Sequence, residues 1–166
     1  ELAIVLPTGR LQVAGSRAAN DDAPARDALQ SAGSDSNAKP HVFVAMPFAP
    51  EMDDVFHYGI QGAINAAGML AERADLSAFT GDVMEWVKAR IASAELVVAD
   101  LSSANANVYL EVGYAWGRGV ATVLLTRKGD ELKFDVRGQR CILYASIKEL
   151  ETRLAQELKQ LPIARR

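Results

Sequence analysis

The carboxylate and amide side chains whose spacing could do chemistry lie between positions 99 and 115 of this 166-residue chain. A buried-type apolar run ends in Asp100, a short polar loop follows, and a helical pattern begins at Asn107 and includes Glu111. This spacing predicts that Glu111 ends the first helical turn, where the helix dipole stabilises an ionised carboxylate by about 0.3–1 kcal/mol. Such a carboxylate can act as a nucleophile or stabilise a developing cation, as glycosidic-bond cleavage requires. From spacing alone, an acid that serves only the helix dipole is the simpler interpretation.

The composition leaves few other routes to catalysis. The chain has one cysteine, Cys141, and two histidines, His41 and His57. This excludes an intrachain disulfide and makes a zinc site built from Cys and His nearly impossible. Neither a glycine-rich phosphate-binding motif nor a nucleophile elbow occurs. Carboxylates and hydroxyls must therefore carry any chemistry, and we expect no metal centre and no resident cofactor.

Charge and hydropathy narrow the class of partner. The formal net charge is −3, from 18 Lys and Arg against 21 Asp and Glu, whereas a dedicated nucleic-acid surface is normally strongly basic. No apolar run approaches the length of about 18 residues that a membrane-spanning helix needs. We therefore expect neither nucleic-acid nor membrane binding, and a cytoplasmic location.

Strand and helix patterns alternate from Pro40 onward, and they must form the frame that positions the polar groups. The strands are continuous apolar runs, which is typical of a parallel sheet covered on both faces. The sequence predicts strands at 41–46, 69–73, 95–100, 121–125 and 140–144, and helices at 52–67, 80–94, 108–118 and 146–161.

This order of elements predicts an α/β fold. We expect a three-layer sandwich of the flavodoxin or Rossmann type, with a mostly parallel five-stranded sheet in the order 2-1-3-4-5. In such sheets ligands bind outside the carboxyl ends of the strands, where the strand order reverses. The expected crevice therefore lies beside the first and third strands, between residues 46–48, residues 100–103 and the helix after Asn107.

The first 39 residues differ in composition from the rest. Residues 2–15 could form a short hairpin, and residues 16–39 are rich in Ala, Asp, Ser, Asn and Gly with almost no large apolar side chains. Such a stretch buries too little apolar surface to offset its ordering entropy. We predict that residues 1–39 are a flexible remnant and linker and that residues 40–166 form the folded domain. Because the chain starts at Glu1 rather than Met, we also expect fusion to, or association with, another domain.

Four segments carry a family resemblance: 42–48 (VFVAMPF), 94–101 (AELVVADL), 105–115 (NANVYLEVGYA) and 133–138 (KFDVRG). Together they resemble the nucleoside 2-deoxyribosyltransferase-like superfamily, and within it the TIR-like branch that is often found in bacterial defence and signalling proteins. The resemblance extends over residues 40–158. The order of the segments agrees with the α/β sandwich predicted above.

The resemblance implies a catalytic role for Glu111. In the deoxyribosyltransferases the Glu of the matching segment attacks the anomeric carbon and displaces the base, and a Glu at a similar place in TIR domains is required for cleaving NAD. Asn105 occupies the position of a ribose-contacting acid six residues earlier. Val87 occupies the position of a base-recognising Asp, which argues against base exchange between nucleosides. Asp75 and Asp82 lie nearby, but neither matches the spacing.

Other side chains near the expected crevice are candidates for ligand contacts. Phe48 could pack against a base or a ribose, and Tyr114 could orient Glu111 from three residues further along the helix. Arg127 and Lys128 follow the fourth strand and could attract a phosphate. Core packing, capping and surface ion pairs are the alternatives at these positions. The expected substrate-binding residues are Met46, Phe48, Asp75, Asp100, Asn105, Asn107 and Tyr114.

The sequence therefore predicts a nucleotide N-glycosidase that hydrolyses NAD or a related nucleotide as its substrate. One alternative is a non-catalytic, nucleotide-sensing TIR-like module that signals by self-association. A true nucleoside 2-deoxyribosyltransferase is a further alternative, which the departure at Val87 weakens. The resemblance also implies a homo-oligomer, because sites in this superfamily are often completed by a neighbouring subunit.

Overall fold

The computed structural model describes residues 39–76, 82–132, 136 and 138–161. The hairpin at 2–15 and nearly all of the linker at 1–39 lie outside these residues, so both stay predictions. The division into a linker and a domain at 40–166 also stays a prediction.

Five parallel strands form one sheet in the order β2-β1-β3-β4-β5, which confirms the predicted fold class and strand order. The register places Val44 of the first strand in the sequence beside both Arg73 and Val98, and it pairs Asp100 with Leu125. The strands are β1 (His41–Ala45), β2 (Leu70–Arg73), β3 (Leu96–Asp100), β4 (Thr122–Arg127) and β5 (Cys141–Tyr144). All of them end at one edge of the sheet, which we call the carboxyl edge.

Helices cover both faces of the sheet. One face packs against α1 (Gln61–Ala66), the π-helical segment that precedes it (Val55–Ile60), and α4 (Ile147–Gln160). The other face packs against α2 (Val83–Ser93) and α3 (Ala106–Gly117). Short 3₁₀ turns occur at Pro50–Met52, Ala74–Leu76 and Ser102–Ala104. No helix among the described residues is long and apolar enough to cross a membrane.

The first helix departs from the single regular helix predicted at 52–67. Its first part is π-helical, and it includes Gly59. A Cβ atom at Gly59 would lie 2.8 Å from Cδ2 of Leu150. The glycine therefore lets α4 approach closely. The spacing of apolar residues along the first helix does not reveal this tertiary contact.

Side-chain caps fix the starts of the remaining helices. Asp82 accepts hydrogen bonds from the backbone N–H groups of Met84 (2.8 Å) and Glu85 (3.2 Å), so it caps α2. Thr80, the first residue of the helix predicted at 80–94 and a candidate cap by residue type, lies outside the described residues. Ser146 caps α4 as predicted, because its Oγ accepts from the backbone N–H of Glu149 at 3.2 Å.

Candidate active site

Glu111 is the sixth residue of α3 and lies in its second turn. The helix starts two residues earlier than predicted because Asn105, not Asn107, is the cap: Oδ1 of Asn105 accepts from the backbone N–H of Asn107 at 2.9 Å. The predicted first-turn position of Glu111 is therefore wrong. Since the dipole effect falls off within the first turn, it does little for this carboxylate.

Burial controls the charge of Glu111. The residue is half-buried at the border of the α3 face that packs on the sheet through Val108, Val112 and Ala115. Burial raises the pKa of Glu111 to about 7. No hydrogen bond or ion pair to Glu111 comes from the residues that the structure describes. The expectation that the helix dipole favours the ionised carboxylate is thus corrected: burial outweighs the dipole, and near neutral pH the group is divided between its protonated and ionised forms.

The loop that leads into α3 has a strained backbone. Ser103 and Ala104 have positive φ angles of 62° and 50°, in the left-handed region that costs a residue with a Cβ about 1–2 kcal/mol. The backbone N–H of Ser103 donates to Oδ2 of Asp130 at 3.0 Å. The chain then reaches Asn105, whose Oδ1 is occupied by the cap of α3.

Asp100 is completely enclosed, with 0% of its surface exposed. Its Oδ1 accepts from the backbone N–H of Ser102 (2.9 Å) and its Oδ2 accepts from the hydroxyl of Tyr144 (2.7 Å). Burial raises the pKa of Asp100, and the hydrogen bonds from Ser102 and Tyr144 oppose this rise. The predicted ribose contact is corrected here: both carboxylate oxygens are used inside the protein, so Asp100 shapes the loop rather than facing a ligand.

Arg73 is buried at the end of β2, and it forms an ion pair with Asp75, whose side chain is 27% exposed. Arg73 is only 4% exposed. Its Nε donates to Asp75 Oδ1 at 2.6 Å, its Nη2 donates to Asp53 Oδ1 at 2.9 Å, and its guanidinium carbon lies 4.8 Å from the centre of the Phe56 ring. Its Nη1 is buried and has no partner among the described residues. Asp75 is therefore held by the protein itself.

The other predicted contact residues divide into enclosed and accessible ones. Met46 is buried in the core on the α1 and α4 side, which leaves it no surface for a base or ribose, whereas Phe48 is 58% exposed after β1. On α3, Asn107 is exposed and Tyr114 is half-buried against the core. The structure thus groups Asn107, Glu111 and Tyr114 on one helix. No described contact joins them to Arg73 and Asp75.

Tyr144 is the site residue that sequence reasoning missed. It is the last residue of β5, and its buried ring carries a hydroxyl that lies within hydrogen-bonding distance of Asp100 (2.7 Å) and Ser102 (3.4 Å). The only signal in the sequence is a polar aromatic residue at the end of an apolar strand, which does not reveal a partner 44 positions away.

Two further observations on the described residues concern a cleft and metal binding, and neither contributes to the candidate site. A cleft of about 390 Å³ opens at the opposite edge of the sheet, between Glu95, Ala121 and Leu161. It lies away from Glu111, and Glu95 is its single ionisable lining residue. Within the described ranges, no group of three His, Cys, Asp or Glu side chains could hold a metal ion.

Comparison with known proteins supports the fold. No protein-family profile matches this sequence, and no curated protein sequence matches it significantly. The structure titled CMP N-glycosidase, BcmB, of Clostridium botulinum is similar, with a TM-score of 0.59 and 17% identity over 70% of this chain and 98% of that one. A 2-desoxiribosyltransferase from Leishmania mexicana has a TM-score of 0.52 and 14% identity over 70% of this chain and 97% of that one. The chain thus shares the fold of these two structures, as predicted, while membership of the nucleoside 2-deoxyribosyltransferase-like superfamily and of its TIR-like branch stays a prediction.

Proposed function

We propose that this protein is a nucleotide N-glycosidase, which hydrolyses the bond between a base and its ribose. The observation that carries the proposal is Glu111, a half-buried carboxylate without a partner among the described residues, on the helix that follows the third strand. The fold similarity to a CMP N-glycosidase supports the reaction class. The proposed substrates are nucleoside monophosphates and NAD.

The proposed reaction uses the ionised form of Glu111. The bond between C1′ and the base nitrogen breaks, its electron pair leaves with the base, and positive charge develops on the ribose. The carboxylate stabilises this charge or bonds to C1′. Water then adds to C1′ and releases a proton, which passes to the anionic base of a nucleoside monophosphate or, with NAD, to solvent. The products are ribose 5-phosphate or ADP-ribose, the free base and the free carboxylate. Because burial raises the pKa of Glu111 to about 7, the reactive form grows with pH across the neutral range.

Neighbouring side chains supply the proposed ligand contacts. Phe48, which is exposed after β1, offers a ring face to the base. The side-chain amide of Asn105 can donate to a ribose hydroxyl while its Oδ1 caps α3. Tyr114, one turn beyond Glu111, limits the positions that the carboxylate can take.

The charge of the leaving base affects the choice of substrate. Nicotinamide is cationic in NAD and leaves as a neutral molecule, whereas cytosine leaves as an anion unless an acid protonates it. The carboxylates of Asp75, Asp82 and Asp100 already accept hydrogen bonds from the protein. Hydrolysis of NAD therefore requires fewer catalytic groups than hydrolysis of CMP, because its leaving base needs no acid to protonate it. CMP is nevertheless the substrate named for a protein of similar fold.

Base release from the purified protein tests the proposal. The protein is incubated separately with NAD, CMP and the other nucleoside monophosphates, and the free base is followed by chromatography. We expect Glu111→Gln to lower the rate by about a hundredfold or more. Glu95→Gln, the same change at the opposite edge of the sheet, should leave it unaltered. Full activity of a folded Glu111→Gln variant would disprove the role of Glu111.

A second candidate function is a nucleotide-binding module that self-associates. The outward face of α3 favours it, because Ala106, Leu110, Gly113 and Gly117 form a stripe without charge, and Leu110 is 58% exposed. Cβ atoms at Gly113 and Gly117 would have no neighbour within 4 Å among the described residues. Calorimetry that shows nucleotide binding without base release, together with a dimer in sedimentation, would favour this function over the enzyme.

A further inference from the structure

The strained turn at Ser103 and Ala104 lies directly before α3. Two successive positive φ angles in residues other than glycine persist only where surrounding contacts hold them. The turn delivers the chain to Asn105, where α3 begins, so its conformation sets the direction of the helix. The position of Glu111 relative to the carboxyl edge therefore depends on what holds this turn.

Buried contacts from three neighbouring strands hold the start of the turn. From β5, the hydroxyl of Tyr144 donates to Oδ2 of Asp100 at 2.7 Å. From the end of β3, Oδ1 of Asp100 accepts from the backbone N–H of Ser102 at 2.9 Å. From β4, the backbone N–H of Arg127 donates to Oγ of Ser102 at 3.0 Å. Ser102 is thus bound through both its backbone and its side chain.

The buried contacts matter more than the exposed one. Asp130, which accepts from the N–H of Ser103, is exposed, so water can replace it. Asp100 and Ser102 are 0% exposed and Tyr144 is 2% exposed, so water cannot readily substitute for a lost partner there. The backbone N–H of Leu101 donates to the carbonyl of Leu125 at 2.8 Å, which continues the β3–β4 ladder, and the carbonyl of Leu101 accepts from the N–H of Ala104 at 3.1 Å within the turn.

We infer that Tyr144 and Asp100 are positioning residues, which act through Ser102 to hold the turn that places Glu111 at the carboxyl edge. Both are enclosed, so neither touches a substrate. The expected effect on catalysis rests on the proposed role of Glu111. The stabilisation of the turn by Tyr144 and Asp100 does not depend on that role.

Tyr144→Phe tests the inference, because it removes the hydroxyl and keeps the buried ring. Tyr58→Phe, at an exposed tyrosine of the π-helical segment, is the matched control. We expect Tyr144→Phe to lower kcat by about tenfold to a hundredfold, the scale of a small misplacement of a reacting group. KM should rise less than kcat falls, because Asn105 directly follows the turn, whereas the proposed contact from Phe48 after β1 does not depend on it. A purely structural role would reduce the amount of folded protein without changing kcat per folded molecule.

Hydrogen exchange provides a readout that needs no turnover. We expect the backbone amides of residues 102–107 to exchange at least about tenfold faster in Tyr144→Phe, which corresponds to a loss of about 1.4 kcal/mol. Tyr58→Phe should exchange as the wild type does. Wild-type exchange of these amides in Tyr144→Phe would overturn the hold on the turn. Faster exchange with unchanged kcat would overturn the positioning of Glu111.

Two additional outcomes are distinguishable. If Tyr144→Phe does not fold, Ser102→Ala takes its place, since it removes the hydroxyl that accepts from Arg127, and the same two readouts apply. If the wild type releases no base from any nucleotide, the proposed function fails. The exchange experiment then still decides whether Tyr144 holds the turn.

Discussion

Replacing Glu111 by Gln should stabilise the folded protein in a pH-dependent way. Burial raises the pKa of Glu111 from its ordinary value of 4.5 to about 7, so the folded state disfavours the ionised form. This difference in pKa corresponds to a cost of up to about 3 kcal/mol once the group is ionised. Gln has nearly the same shape and never ionises. Its polar amide still carries some desolvation penalty, so we expect a gain of about 2–3 kcal/mol above neutral pH.

The sign of the effect follows from proton linkage. Below the ordinary pKa the carboxyl is protonated in both the folded and the unfolded chain, so the two proteins should be about equally stable. Between the two pKa values the unfolded chain loses its proton while the folded chain keeps it. The wild type therefore loses stability relative to Glu111→Gln by about 1.4 kcal/mol per pH unit. Above the folded pKa the difference is constant.

Urea denaturation at pH 4, 5, 6, 7 and 8 measures this difference directly. In a separate thermal unfolding experiment at pH 8, we expect the melting temperature of Glu111→Gln to lie roughly 5–10 °C above that of the wild type. Glu95→Gln controls for the change in net charge. A stability difference that does not vary with pH, or a Glu111→Gln variant that is less stable at pH 8, would refute the assignment of a buried, unpartnered carboxylate.

Three further predictions concern the reaction and the helix that carries Glu111. The rate of base release at low substrate concentration should rise with pH along a limb centred near pH 7, because burial raises the pKa of Glu111 to about 7; a flat profile would contradict a role for its ionised form. Asn105→Ala removes the cap of α3 and should lower the free energy of unfolding by about 1 kcal/mol, measured by urea denaturation. Gly113→Ala adds a methyl group at an exposed helical position where no described residue lies within 4 Å, and it should raise the free energy of unfolding by up to about 1 kcal/mol. If a second copy of the chain packs against this position, sedimentation should instead show weaker self-association of the variant.

The fold could be predicted from the sequence because its determinants are local or periodic. Continuous apolar strands such as 96–100 indicate a parallel sheet, and Ser146 followed by Glu149 indicates the start of α4. The cap of α3 was placed wrongly because Asn105 and Asn107 both suit that position by residue type. Only the path of the preceding loop selects Asn105.

The candidate site could be predicted only in part. The type and spacing of Glu111 are visible in the sequence, but its pKa depends on how much protein surrounds it. The enclosure of Asp100 depends on a hydroxyl from Tyr144, 44 residues away, and the burial of Arg73 depends on Asp53 and Asp75 together. These are tertiary contacts between side chains, which neither periodicity nor residue type specifies.

The position of Tyr144 in the last strand has a consequence for the order of folding. Asp100 and Glu111 belong to the middle of the chain, yet the buried partner of Asp100 comes from β5. Pairings between distant residues form late, and a chain made from its N-terminus exposes β5 after all other strands. A nascent or truncated chain that already contains α3 therefore lacks the contact that sets its direction. On the proposed function, nucleotide cleavage would reach its full rate only in molecules whose synthesis has passed β5.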